Sequence, residues 1–153
     1  MRNLPPVTDL DVMVELLRAT GAEVELPEPG VVRVDASGDL VPEAPYELVT
    51  RMRASFNVLG PLVARCGRAR VAMPGGDNIG SRKVDMHLRG LEAMGAEVEV
   101  AHGFIETRAD LLRGARVVLD FPSVGATENL MCAAVLAKGT TVIENAEIGR
   151  AHV

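Results

Sequence analysis

Two stretches of the chain, residues 11–25 and 85–99, carry the same arrangement of apolar and polar positions. Val14, Leu17 and Val24 in the first align with Leu88, Leu91 and Val98 in the second, and both stretches end in Gly-Ala-Glu-Val-Glu. Apolar residues at this spacing with charges between them predict a helix, and the glycine marks its C-terminal stop. A short strand and a turn follow, then a second strand, Val31–Asp35 in one copy and Phe104–Arg108 in the other. The later halves match as well: Ser55, Leu59, Leu62, Gly67 and Val71 stand against Thr127, Met131, Ala134, Gly139 and Ile143. Each later half predicts a buried helix ended by glycine and followed by a strand. The unit is thus helix, strand, strand, helix, strand, occurring at residues 9–73 and 83–145.

A period of roughly 70 residues is too long for a solenoid, whose repeats run to about 50 at most. It predicts duplicated α/β units packed around a shared helical core. Residues 130–137 are apolar almost throughout, and a helix apolar on all sides must be enclosed. Helices inside and short-stranded sheets outside follow from this.

Composition narrows the picture without directing it. The 153 residues suffice for one core of ordinary size. With 48% apolar residues, no tryptophan, one tyrosine and three phenylalanines, that core is aliphatic. A net charge of −5 argues against a general nucleic-acid surface, yet leaves room for a local cluster of Arg51, Arg53 and Arg82 facing an anionic small molecule. Cys66 and Cys132 fall in apolar, helix-like stretches without metal-ligand spacing, which predicts buried thiols rather than a disulfide or a zinc site. The N-terminus leads into prolines rather than an apolar leader, and the longest apolar run is too short to span a bilayer. The expected setting is soluble and cytoplasmic.

The candidate chemistry lies between the two units, in Pro74-Gly75-Gly76-Asp77-Asn78-Ile79-Gly80-Ser81-Arg82-Lys83-Val84-Asp85. Residues 71–73 read as the end of a strand and residues 84–94 as a helix. A glycine-rich turn between the two lets backbone N–H groups approach an anion, and the helix N-terminus adds partial positive charge. Arg82 can hold a phosphate or carboxylate through paired hydrogen bonds. Asp77, at the tip, is placed to give or take a proton. An ordinary strand-to-helix loop has the same composition, so the spacing by itself leaves both readings open.

Together with Thr-Arg-Met-Arg-Ala-Ser at residues 50–55 and Ser-Val-Gly-Ala-Thr at residues 123–127, this loop resembles the UDP-N-acetylglucosamine 1-carboxyvinyltransferases, which belong to the enolpyruvyl transferases. The resemblance runs over residues 3–146 with the motifs in the same order. It implies a domain built from three such units, of which about two are present here, and transfer of the enolpyruvyl group of phosphoenolpyruvate to the 3-hydroxyl of UDP-N-acetylglucosamine, the first committed step of peptidoglycan synthesis. It implies no metal and no organic cofactor, because cations stabilise the phosphate directly. Family members begin well upstream, with a Lys-Asn pair that touches both substrates. They continue into a second domain with a further catalytic aspartate and a phosphate-binding arginine. The chain therefore reads as part of such an enzyme, inactive by itself, with residues 147–153 as a non-native tail.

Residue by residue, the resemblance places Arg53 near the enolpyruvate and Arg82 on its phosphate. Lys83, Val84 and Asp85 fall on a segment that grips the UDP moiety, although the family commonly has proline where Lys83 stands. Asp85 also reads as a helix-start carboxylate favoured by the macrodipole, as Asp11 does in the first unit. Ser123, Val124 and Gly125 match a second UDP-sugar contact, at a helix start where a serine can simply cap. Thr127 reads as local structure, His87 as a packed histidine at a position where the family also has one, and His102 as an exposed hairpin residue.

Asp77 is the principal departure, since most family members carry cysteine there and a minority aspartate. In the implied reaction it protonates the methylene carbon of phosphoenolpyruvate while the sugar hydroxyl attacks the neighbouring carbon, and the tetrahedral adduct then loses phosphate. A carboxyl group with an ordinary pKa of about 3.9 must be raised to hold that proton, and three units cost roughly 4 kcal/mol. Arg82 opposes the rise, whereas the charges of bound substrate and a dry site favour it. Two alternatives stand beside this reading: an enolpyruvylshikimate-phosphate synthase-like transferase, and a non-catalytic ligand-binding fragment.

Overall fold

The computed structural model describes residues 1–74 and 84–147. Helix α1 (Thr8–Ala19) opens the chain, with Asp9 and Asp11 in its first turn and Arg18 in its last, the polarity that a helix dipole favours. Gly21, at φ 86°, ends it: its N–H bonds the Arg18 carbonyl, and the Ala22 N–H reaches back to Leu17. Only a residue tolerant of the left-handed region closes a helix in this way. Helix α4 (Asp85–Ala93) ends on the same two bonds, Gly95 to Glu92 and Ala96 to Leu91, with Gly95 at φ 92°.

Each of these helices feeds an antiparallel hairpin. Strand β1 (Glu23–Glu28) pairs with β2 (Val31–Asp35), and β5 (Glu97–Ala101) pairs with β6 (Phe104–Arg108). The second hairpin turns through His102 and Gly103, both at positive φ, and His102 is exposed as expected. Both second strands have the bounds that the sequence predicts.

The later halves differ in detail from the expectation. Two short strands that the apolar pattern does not show, β3 (Glu43–Ala44) and β7 (Arg116–Val118), precede the buried helices. They run parallel to β4 (Arg68–Ala72) and β8 (Val142–Glu144) respectively. A helix α2 (Tyr46–Val49) follows β3, and residues 53–58 form a 3-10 helix before α3 (Leu59–Cys66) rather than one continuous helix. Helix α5 (Val124–Ala134) is the corresponding element of the second half.

Three sheets result: β1-β2, β3-β4-β6-β5 and β7-β8. The four-stranded sheet joins the parallel pair of the first half to the hairpin of the second, through antiparallel pairing of β4 with β6. Helix α5 packs against both α3 and α4 beneath it, and Phe56, Leu59, Leu91, Ile105 and Leu130 are fully buried in the core they form. The architecture is α/β with helices inside and short-stranded sheets outside.

Two expectations need correction here. Helix α5 stops at Ala134, and the apolar run around it is enclosed on one side only: Leu130 and Ala133 are fully buried, but Met131, Val135 and Leu136 are exposed by 50%, 77% and 53%. An apolar run records that a helix has a buried face, not how much of its circumference is covered. Cys132 lies on the uncovered face and is exposed, while Cys66 is half-buried, so neither is the buried thiol that apolar neighbours predict.

Candidate functional site

A cleft of roughly 630 Å³ opens among the described residues. It lies where the 3-10 helix, the start of α4 and the start of α5 converge. Met52, in extended conformation, begins the 3-10 helix and sets Arg53 on the cleft wall. Asn57, one turn on, faces the same space and donates from Nδ2 to Glu128 at 2.9 Å. Ser123, in extended conformation, caps α5 by accepting the Ala126 N–H at 3.3 Å, which turns Val124 and Gly125 into the cleft. The capping that a helix-start serine predicts is therefore present, and the same serine lines the cleft.

Arg53, Val84, Ser123, Val124 and Gly125, scattered over some seventy residues of sequence, thus border one space. Asp85 does not. It is exposed in the first turn of α4 and lies 3.6 Å from Arg89, which also pairs with Asp120, so it behaves as the helix-start carboxylate that Asp11 parallels. Arg51 likewise leaves the expected cationic cluster, since it points to α1 and bonds Glu15 at 2.6 Å. Asp77, Arg82 and Lys83 lie outside the described residues. Pro74 and Val84, on either side of them, both line the cleft. Thr127 bonds the Ser123 carbonyl at 2.8 Å and accepts from the Glu147 N–H, so its hydroxyl serves local structure.

His87 is the packed histidine that the sequence reading expects, and it also borders the cleft. It is only 6% exposed, with its ring edge-on to Phe56 at 5.1 Å between centroids. Nδ1 lies 2.9 Å from Nδ2 of Asn129, a fully buried amide that the sequence reading overlooked. The available signal was Asn129 itself, a polar residue followed directly by the apolar run of α5, where a buried amide needs dedicated partners.

Burial, and next the positive charge of Arg53, push the His87 pKa down from 6.5 to about 4, against a smaller opposing pull from Asp85. The imidazole is therefore neutral at pH 7. Because the folded form releases its proton more readily than the unfolded chain, the unfolded state binds more protons between pH 6.5 and about 4. Stability contributed by neutral His87 is complete above pH 6.5 and falls by about 3 kcal/mol as the pH drops through that window. Denaturant titrations at pH 7 and pH 4.5 check this: His87→Gln loses less stability than the parent over the same interval. Equal losses in the two proteins contradict the assignment.

The whole chain, residues 1–153, matches the family of EPSP synthase (3-phosphoshikimate 1-carboxyvinyltransferase). UDP-N-acetylglucosamine 1-carboxyvinyltransferase 2 of Carboxydothermus hydrogenoformans is 56% identical over 146 residues, which is 95% of this chain and 35% of that protein. Among solved structures, the enolpyruvyl transferase NikO of Streptomyces tendae superimposes with a TM-score of 0.77 at 24% identity, over 93% of this chain and 34% of that one. An EPSP synthase of Acinetobacter baumannii does so with a TM-score of 0.65 at 19% identity, over 88% of this chain and 32% of that one. At such identities the two structures speak for the fold alone. The chain spans about a third of the length of these relatives.

Proposed function

The chain belongs to the EPSP synthase family, and from that premise we propose that it forms part of an enzyme that transfers the enolpyruvyl group of phosphoenolpyruvate to the 3-hydroxyl of UDP-N-acetylglucosamine. The observation that carries this reading is the convergence of Arg53, Val84 and Ser123–Gly125 on one cleft, bordered also by both flanks of the glycine-rich loop. The 56% identity to a carboxyvinyltransferase named for UDP-N-acetylglucosamine favours that acceptor over a shikimate phosphate. The reaction belongs to the cytoplasmic stage of peptidoglycan synthesis.

Each residue has a distinct task in this reading. Arg53 offsets negative charge on the enolpyruvate, and Arg82 holds its phosphate through paired donors. Ser123, Val124 and Gly125, together with Lys83, Val84 and Asp85, grip the UDP moiety. Asp85 does so only by exchanging its pairing with Arg89 for the nucleotide. Asp77 gives its proton to the methylene carbon of phosphoenolpyruvate while the sugar oxygen bonds the adjacent carbon. That carbon then loses phosphate, and the methyl group returns a proton to restore the double bond.

Calorimetric titration of the full-length protein separates the acceptors. UDP-N-acetylglucosamine binds saturably, while shikimate 3-phosphate produces no heat of binding at the same concentration. The reverse preference identifies the chain as part of a shikimate-phosphate enzyme. No binding of either ligand returns it to a non-catalytic role.

A further inference from the structure

Asn129 has no place in the roles just described, yet it is fully buried beside the cleft. Its side-chain Oδ1 accepts the backbone N–H of Gly60 at 2.6 Å. A backbone N–H can only donate, so the amide atom facing Gly60 must be the oxygen, and the NH2 group is thereby aimed at Nδ1 of His87. An NH2 group can only donate as well. Nδ1 of His87 must therefore accept, and the single proton of the neutral ring is left on Nε2.

Gly125 lies against the edge of the ring that carries that donor. A methyl group at position 125 would stand 3.5 Å from Cε1 and 3.7 Å from Nε2 of His87, so the glycine keeps this edge of the ring uncovered at the cleft. Gly60 is far more tightly constrained, because a methyl group there would meet both the backbone carbonyl and Oδ1 of Asn129 at less than 3.0 Å. One chain of contacts thus runs from the backbone of α3 through Asn129 to the face that His87 presents.

We propose that Asn129 is a positioning residue that locks His87 in the Nε2–H tautomer, so that His87 offers the cleft a fixed, uncharged hydrogen-bond donor and serves neither as a base nor as a cation. Protonation of Nδ1 would set an N–H against the Asn129 NH2 with no acceptor between them, which reinforces the neutral state. The charges around the ring are Arg53 from the 3-10 helix, Asp85 on its own helix and Glu128 on α5. Only the identity of the acceptor, an oxygen of the UDP moiety, rests on the proposed function.

Long-range nitrogen–proton correlation spectra of the 15N-labelled full-length protein read the tautomer directly. At pH 7 we expect a pyrrole-type Nε2 and a pyridine-type Nδ1 for His87. In Asn129→Asp the carboxylate still accepts from Gly60 but now faces Nδ1 with a second acceptor, so the proton moves to Nδ1 and the titration midpoint of His87 rises by two pH units or more. A parent protein with Nδ1 protonated, or with both tautomers exchanging, overturns the proposal whether or not the variant folds. So does a folded Asn129→Asp protein with unchanged tautomer and midpoint, because a packing role alone predicts that outcome. Addition of UDP-N-acetylglucosamine should shift the Nε2 resonance. If the tautomer is as expected and that shift is absent, the lock stands and the substrate assignment fails.

Discussion

Asp77→Asn, introduced into the full-length protein, lowers the turnover of phosphoenolpyruvate with UDP-N-acetylglucosamine by about 10²–10⁴-fold, the usual contribution of a positioned general acid. Asparagine keeps the size of the side chain and its capacity to accept hydrogen bonds, but it has no proton to give to the methylene carbon. Substrate binding is therefore retained, and the loss falls on kcat rather than on KM. Asp77→Ala behaves alike. Asp77→Cys restores a proton donor and adds a new liability. As the family resemblance implies, fosfomycin alkylates the cysteine that most members carry at this position, and a thiolate opens an epoxide far more readily than a carboxylate does. The parent enzyme should consequently keep its activity in fosfomycin while Asp77→Cys loses it with time. Cys132, though exposed, lies on α5 beyond the cleft-lining residues and does not take over this role. Full activity in Asp77→Ala, or a covalent adduct of the parent mapped to Asp77, removes the carboxylate from the reaction.

Gly60→Ala is expected to produce a large loss of stability for a single added methyl group. The new methyl meets the backbone carbonyl of Asn129 and its side-chain oxygen at less than 3.0 Å, where neither a backbone nor a buried amide can yield cheaply. Overpacking of this kind costs about 1–3 kcal/mol, and separating α3 from α5 leaves the Gly60 N–H unpaired for roughly 1–3 kcal/mol more. A total of roughly 2–6 kcal/mol is a large share of a domain's stability and lowers Tm by about 10 °C. Gly38→Ala is the internal control, since a methyl group there meets nothing within 4 Å and its effect should stay within about 0.5 kcal/mol. Urea denaturation of the two variants gives the comparison. Equal midpoints would show that α3 and α5 are not held at the separation described.

What the sequence discloses of this fold is what local physics determines. Glycines 21 and 95 end helices because the chain must pass through the left-handed region there, and both sit in a repeated Gly-Ala-Glu-Val-Glu that is hard to overlook. The bounds of β2 and β6 follow from turn residues and β-branched neighbours. By contrast, β3 and β7 consist of two and three residues whose extended state depends on partners far along the chain, Arg70 and Val71 for one and Val142 to Glu144 for the other. No local pattern marks a strand of that kind. Leu130 and Val135 look equally apolar in the sequence, yet one is fully buried and the other 77% exposed, because the packing of distant helices selects the covered side.

The cleft divides differently. Arg53, Val84 and Ser123–Gly125 were singled out by the family resemblance rather than by any local pattern, and the structure brings all of them to one cleft. Asp85 was singled out in the same way, but Arg89 four residues on draws it outward, an interaction available in the sequence as an i,i+4 pair. His87 and Asn129 were not legible as a pair, since their meeting depends on how α4 crosses α5.

Phosphate release by the purified full-length protein is the direct test of whether this chain contributes to enolpyruvyl transfer onto a UDP-sugar. Release should require phosphoenolpyruvate and UDP-N-acetylglucosamine together, and shikimate 3-phosphate should not support it. Release supported by shikimate 3-phosphate instead, or none with either acceptor, contradicts transfer onto a UDP-sugar.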